Sequence, residues 1–371
     1  MLSAELEERS RRFVEICNAC RYCEGYCAVF PAIELRRQFT SGDLSYLANL
    51  CHDCRGCYYS CQYAPPHEFA LNLPKAFADL RLETYERYAW PRPLAALFRR
   101  NGLAASVLAL VCCVFFVWLA GPSSAAAQKS AGAFYAVIPE GIMIAITGAA
   151  FVFAMLALAI GAIRFWRDTT SPSSFDAPSF LAALTDVLTL RNLGGGGDGC
   201  NNKDESFSQL RRYFHHALFY GFLFCFASTC TAAIYEHLFG WVAPYPFFSL
   251  PVLLGTVGGV AMLIGIAGLV QIKLNADSAP ASRLLIDIDY CFLVLLFVAA
   301  ATGLLLLALR STAAMGALLA IHLGVIVSLF LMLPYCKFVH GIYRAAALLR
   351  YAVERPRRAK SGAATTEGVA T

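Results

Sequence analysis

Eight cysteines near the N-terminus repeat one spacing: Cys17-x2-Cys20-x2-Cys23-x3-Cys27, and 34 residues later Cys51-x2-Cys54-x2-Cys57-x3-Cys61. Thiolates so arranged ligate iron–sulfur clusters. A tight loop places three sulfurs on neighbouring corners of a cubane, and the fourth cysteine of each run ligates the other cluster. The spacing therefore assigns Cys17, Cys20, Cys23 and Cys61 to one [4Fe–4S] cluster, and Cys51, Cys54, Cys57 and Cys27 to a second. A disulfide framework and zinc sites are the competing readings. Free thiolates require a reducing compartment, and zinc takes four ligands per ion without this repetition. The proline that usually follows the fourth cysteine is replaced by Ala28 and Gln62, while Pro31 and Pro65 stand four residues beyond Cys27 and Cys61. The ligand set is intact, but the small βαβ ferredoxin fold is disfavoured.

The elements around these cysteines read as helical. Residues 32–49 are helix formers interrupted at Ser41-Gly42, and Ser41 or Asp43 is expected to cap a helix that delivers Cys51. Residues 74–89 open on Pro74 and continue in a helical pattern. Residues 1–92 thus form an expected helical domain carrying the clusters in loops, closer to the helical ferredoxin domains of fumarate reductase and heterodisulfide reductase subunits than to the β-rich ferredoxins.

Beyond it the chain changes character. Of 371 residues, 58% are hydrophobic and 15% charged, and mean hydropathy is +0.57. Residues 1–100 hold 13 Lys/Arg and 12 Asp/Glu, as a soluble domain would. Residues 93–345 read as a bundle of six spans at about 103–120, 141–163, 216–237, 251–270, 288–309 and 313–335, each near the length needed to cross a bilayer. Residues 346–371 read as a basic, disordered tail. Residues 1–16 lack an apolar signal-peptide core. With six spans, the outward loops 121–140, 236–250 and 310–312 contain only Lys129 and Arg310 among 30 Lys/Arg. Positive charge thus places both termini in the cytoplasm, with the cluster domain on that face of a bacterial inner membrane. The net charge of +5 reflects this belt, and nucleic acid is not implied.

Five of the seven histidines lie in or beside spans: His215, His216, His237, His322 and His340. Polar groups persist in membranes chiefly for function, and histidine is a common axial haem ligand. His322 and His340 are 18 residues apart, five turns of a continuous helix, roughly 27 Å. The expected arrangement is one or two b-type haems, the outer held by His237 and His322 and the inner by His340 with His215 or His216. Interfacial histidines at helix ends are the bland alternative.

The seven remaining cysteines show no ligand spacing, and those in spans read as packing residues. Asp287 and Asp289, beside Arg283, read as an ion-paired cap or as proton carriers at a quinone pocket. The loop 164–213 carries Leu193-Gly194-Gly195-Gly196-Gly197-Asp198-Gly199-Cys200-Asn201. No strand precedes it and no Gly-Lys-Ser/Thr ends it, so phosphate binding is disfavoured; a tight loop packing near the membrane surface or docking a partner is expected. No βαβ GxGxxG occurs, which excludes a Rossmann route to flavin or NAD. No substrate-level catalytic site is evident.

Together the segments CNACRYCEGYCAVFPA, CHDCRGCYYSCQYAPPHEFALNLP, NLGGGGDGCN, RRYFHHALFYGFLFCFAST and LPYCKFVHGIYR resemble the tricarballylate/citrate utilisation protein B family over nearly the whole chain. The resemblance implies a membrane protein that reoxidises a separate FAD-dependent tricarballylate or citrate-type dehydrogenase and delivers electrons to quinone. The basic rim of Arg99, Arg100, Arg211 and Arg212 is expected to steer such a partner. The rival readings are quinol-to-cytoplasm transfer for a flavoprotein reductase or monooxygenase of the cobalamin-biosynthesis type, and a redox sensor or transporter.

Overall fold

The computed structural model describes residues 3–121, 132–169 and 176–367, with side chains to 355. Lys129 and residues 122–131 of the expected outward loop lie outside the described residues, as do 170–175 of the long loop and 368–371 of the tail.

In the N-terminal domain each helix end delivers a cysteine. Helix α1 (Ala4–Cys20) carries Cys17 and Cys20 in its last turn and stops where Arg21 takes a left-handed conformation, φ 57°. The Arg21 N–H returns to the Cys17 carbonyl at 2.9 Å. Helix α2 (Val29–Glu34) starts just after Cys27. Helix α3 (Ser41–Leu50) is capped by Thr40, not by Ser41 or Asp43. Thr40 forms a capping box in which Asp43 is the third helical residue, satisfying two N–H groups reciprocally. Leu50 then hands the chain to Cys51, and left-handed Asp53 and Arg55 (φ 56° and 66°) bend it around Cys54 into the short α4 (Gly56–Tyr59). Helix α5 (Leu73–Tyr88) is capped by Asn72 and carries Pro74 in its first turn, where its missing N–H costs nothing. Tyr46, Leu47, Leu50, Phe77, Leu80 and Tyr85 fill the core between α3 and α5.

A 3₁₀ turn (Arg92–Phe98) leads to the bundle. Among the described residues, six helices are long and apolar enough to span a membrane: α6 (Asn101–Ala120), α8 (Glu140–Thr169), α10 (Leu210–Phe239), α11 (Leu250–Leu274), α12 (Arg283–Leu309) and α13 (Met315–Met332) with its 3₁₀ extension to Tyr335. They coincide with the six expected spans, extended where flanking polar residues continue the helix. Their outer surface is apolar, with Trp118 74% and Leu238 75% exposed, as lipid-facing side chains are. Where α10 meets α11, a Cβ on Gly221 would lie 2.8 Å from the Gly258 carbonyl oxygen. Such small residues let membrane helices approach closely. Short α7 (Ala133–Val137) lies at one end of the bundle, and α9 (Ala177–Leu188) at the other. There the chain also forms a two-stranded ribbon, β1 (Cys200–Asn201) antiparallel to β2 (Phe207–Ser208).

Two expectations about the C-terminal segment fail. The ladder of α13 stops at Leu333-Pro334-Tyr335, because proline removes a donor, and the chain restarts as α14 (Val339–Glu367). His322 and His340 are therefore on different helices, and the 18-residue face does not exist. Nor are residues 346–355 a disordered tail. They continue α14, burying Ala347, Leu348 and Ala352. Here Arg350 meets Asp43 and Glu354 at 3.0 Å each, and Arg36 meets the same two carboxylates at 2.7 Å. This network explains why a basic segment is ordered: its charges are answered by the N-terminal domain.

Candidate functional site

All fifteen cysteines are free thiols, so no disulfide framework forms. The eight N-terminal thiols divide into two groups by the charges they would feel from one another. Cys17 faces Cys23, Cys61 and Cys20; Cys27 faces Cys54 and Cys51; Cys57 faces Cys54, Cys51 and Cys27, and then Cys23. The fourth cysteine of each run thus joins the other run's triplet. Cys23 and Cys57 stand at the seam between the groups. Among the described residues no three His, Cys, Asp or Glu converge as one metal ion requires. Burial, and then the neighbouring thiols, push Cys23 up to about 12; burial, Cys200 and Cys51 do the same to Cys54, to about 12. Four thiols in one pocket ionise together only around a strongly cationic metal centre, which an iron–sulfur cluster supplies, so the donor chemistry fits the group.

The two groups differ in setting. The first opens on a cavity of about 310 Å³ lined by Cys17, Cys20, Cys23 and Cys61 with Tyr22, Gln62 and others, none charged. Tyr22 is 67% exposed at its edge. The second group is roofed by the glycine-rich loop. A Cβ on Gly196 would lie 3.2 Å from the Tyr26 carbonyl oxygen, and one on Gly195 would lie 3.7 Å from the Cys54 Cβ. Asn201 N–H donates to the Cys54 carbonyl at 2.9 Å. Gly199, at φ +123°, passes so close to Ser208 that a Cβ would lie 2.5 Å from its carbonyl carbon. The loop therefore docks this chain's own cysteine loop. The glycines are needed because backbone lies on backbone.

Below that group two membrane-associated helices converge. On α10, Arg211 and His215 share one face, and on α14, His340 and Arg344 do. Arg211 donates to the Asp53 carbonyl at 2.5 Å, and Arg344 to the Cys51 carbonyl at 2.8 Å. One turn away, His215 and His340 meet with ring centroids 6.2 Å apart. The His340 Nδ1–H donates to the Lys337 carbonyl, leaving its Nε2 free, as a metal-bound histidine requires. The Nδ1 of His215 has no partner. Burial, then the charge of Arg344, hold His340 well below the ordinary histidine range, in the neutral form that ligates metals. Of the two candidates on α10, His215 and not His216 faces His340, and two neutral imidazoles so placed have the donor chemistry of a bis-histidine site.

The other histidines are not brought together. His216 turns to Tyr220, 5.9 Å between centroids. His237 is exposed at the far end of α10, and His322 is bonded through Nδ1 to Thr302 Oγ1 at 2.9 Å. The expected outer pair of His237 and His322 does not form, because α10 packs on α11 while α13 packs on α6, α8 and α12. Arg211 points into the domain junction and is not part of a steering rim, and Arg99 is engaged by Glu86 at 2.9 Å. Asp289 is ion-paired, but to Lys273 and to Lys337 (2.6 Å), not to Arg283.

Residues with no ligand spacing also belong here. His52 follows Cys51, is buried, and bonds the Leu50 carbonyl through Nδ1 at 2.8 Å. Cys200 is fully buried beside Cys54. Arg81 donates to the carbonyls of Ala48 and Cys51 at 3.1 Å each. The four-residue spacings Arg211/His215 and His340/Arg344 were the sequence signal for the junction.

The site and fold define a membrane protein of six apolar helices with a helical, cysteine-rich domain on one end. Residues 91–361 match the family model "Citrate utilization protein B", and residues 10–87 match "Citrate utilization protein B Fer4-like domain". The chain is 46% identical over 363 residues to citrate utilization protein B of Escherichia coli, covering 97% of this chain and 96% of that protein. No solved structure matches. The chain belongs to the citrate utilization protein B family.

Proposed function

We propose that this chain is a membrane electron-transfer protein that reoxidises a reduced FAD-dependent dehydrogenase of the tricarballylate or citrate type and delivers the electrons to quinone. Cys17, Cys20, Cys23 and Cys61 would hold one [4Fe–4S] cluster; Cys27, Cys51, Cys54 and Cys57 would hold the other; His215 and His340 would hold a b-type haem. These groups, when bound, supply one-electron carriers between a two-electron flavin and a two-electron quinone. The chain's own residues support that order. The uncharged, open cavity gives a docked flavoprotein access to the first cysteine group, Cys23 and Cys57 adjoin the two groups, and the roof of glycines covers Cys54 of the second. The observation that carries this reading is the pair of Arg/His faces on α10 and α14, which join the Cys51–Asp53 backbone to the histidine pair.

The clustering of basic residues at the end of the bundle nearest the cysteine domain supports a cytoplasmic domain on a bacterial inner membrane. The test is anaerobic mixing of the purified protein with a dithionite-reduced family dehydrogenase and a quinone analogue. Flavin reoxidation with quinol formation is expected. Failure of either, with clusters present, would contradict the reading.

A further inference from the structure

Three arginines from three helices surround the second cysteine group: Arg81 of α5, Arg211 of α10 and Arg344 of α14. Arg81 is 2% exposed. Each spends its N–H groups on backbone carbonyls, of Ala48, Cys51, Asp53 and Asn49. None is ion-paired to a carboxylate among the described residues. The charge of Asp53 reaches Arg81 and Arg211, but Asp53 itself stands against Arg55 at 3.9 Å. Asp289, whose charge also reaches Arg211, is held by Lys273 and Lys337. The junction therefore keeps a surplus of buried positive charge, which is costly unless an anion answers it. The thiols of Cys51 and Cys54 are the groups placed to do so: the charge of Cys51 acts on Arg81 and Arg344, and those of Cys54 and Cys200 on Arg211.

The first cysteine group has no such surroundings. No Arg, Lys or His lines its cavity. Among the described residues, the hydrogen bond seen to its sulfurs is a long one, from Gln62 Nε2 to Cys20 Sγ at 3.8 Å. The second group receives backbone N–H bonds at Cys27 from Val29 and Phe30, at Cys54 from Gly56, and at Cys51 from Asp53 at 3.4 Å. Nearby positive charge and N–H bonds to sulfur both favour the state with one more electron, and burial opposes it. Here burial is incomplete, since Cys27, Cys51 and Cys57 each keep accessible surface, while the guanidinium charges are permanent and close.

Building on the proposed function, we propose that Arg81, Arg211 and Arg344 make the cluster at Cys27/Cys51/Cys54/Cys57 the more readily reduced of the two, so that a single electron runs downhill from the solvent-open cluster, which is oxidised, to the arginine-bracketed one, which is reduced. No proton or bond changes hands in that step. The arginines are positioning residues for charge and touch no substrate.

The test is an EPR-monitored redox titration of the detergent-solubilised full-length protein, with a soluble dysprosium chelate to mark the solvent-open cluster through relaxation. Two reduction waves are expected, and the dysprosium-sensitive signal should belong to the lower-potential one. Arg344→Gln should shift only the upper wave downward, and Arg344→Lys should restore most of the shift. The proposal is overturned if the dysprosium-sensitive signal titrates at the higher potential. It is also overturned if the two waves coincide, or if Arg344→Gln leaves the upper wave in place. If Arg344→Gln does not fold, the wild-type dysprosium assignment decides alone. Absence of any cubane signal would instead defeat the proposed function on which this rests.

Discussion

At the scale of single residues, the account turns on which histidines face each other. His215 and His340 do, at 6.2 Å between ring centroids, and His237 is exposed at the opposite end of its helix. His215→Ala or His340→Ala should remove the b-type Soret band from the purified protein, while His237→Ala should leave it. An optical spectrum of the three variants checks this, and a band that survives both inner substitutions would sink the assignment. The two cysteine runs were legible in the sequence because their spacing is short and local, and the expected exchange of fourth cysteines follows from cubane geometry. The histidine pairing was only half legible. It joins residues 125 positions apart on two helices, and whether those helices meet depends on packing that hydropathy does not encode. His52, Cys200, Arg81 and Arg344 were overlooked for the same reason: their roles come from neighbours distant in sequence.

At the scale of elements, two features hold the cysteine domain to the bundle. The glycine-rich loop is one. Gly199→Val would place a branched side chain at φ +123° within contact of the Ser208 backbone, a conformation that costs about 1–3 kcal/mol before the clash is counted. The variant should lose roof contact over Cys54, and its second cluster should bleach faster in air than wild type, measured by the decay of the visible cluster absorbance. Equal decay rates would contradict that role. Helix α14 is the other. Glu354 receives Arg36 and Arg350 at 2.7 and 3.0 Å and the Tyr46 hydroxyl at 3.0 Å. Glu354→Ala would leave two largely buried guanidinium groups to share Asp43 alone, at a cost of up to about 3 kcal/mol. Hydrogen exchange at 339–355 should rise well above wild type, and unchanged exchange would show the network to be dispensable. Sequence periodicity located all six spans because an apolar run of bilayer length is nearly self-sufficient as a signal. It missed the break at Pro334 and the order of α14, because the basic residues there look solvated until Asp43 and Glu354 are brought to them.

At the scale of the whole molecule, the chain reads as a path from an open cysteine group to a roofed one. The first cysteine group meets solvent through an uncharged cavity, the second is roofed and bracketed, and the histidine pair lies beyond it against the bundle. The direct test of this path is a combined iron assay and anaerobic optical and EPR spectrum of the purified full-length protein. It should be taken first reduced by dithionite and then after addition of a quinone analogue. The account predicts about eight cluster irons per chain in two cubane signals, one b-type haem, and reoxidation of all three by the quinone. A single cluster, or reduced centres that the quinone leaves untouched, would contradict it.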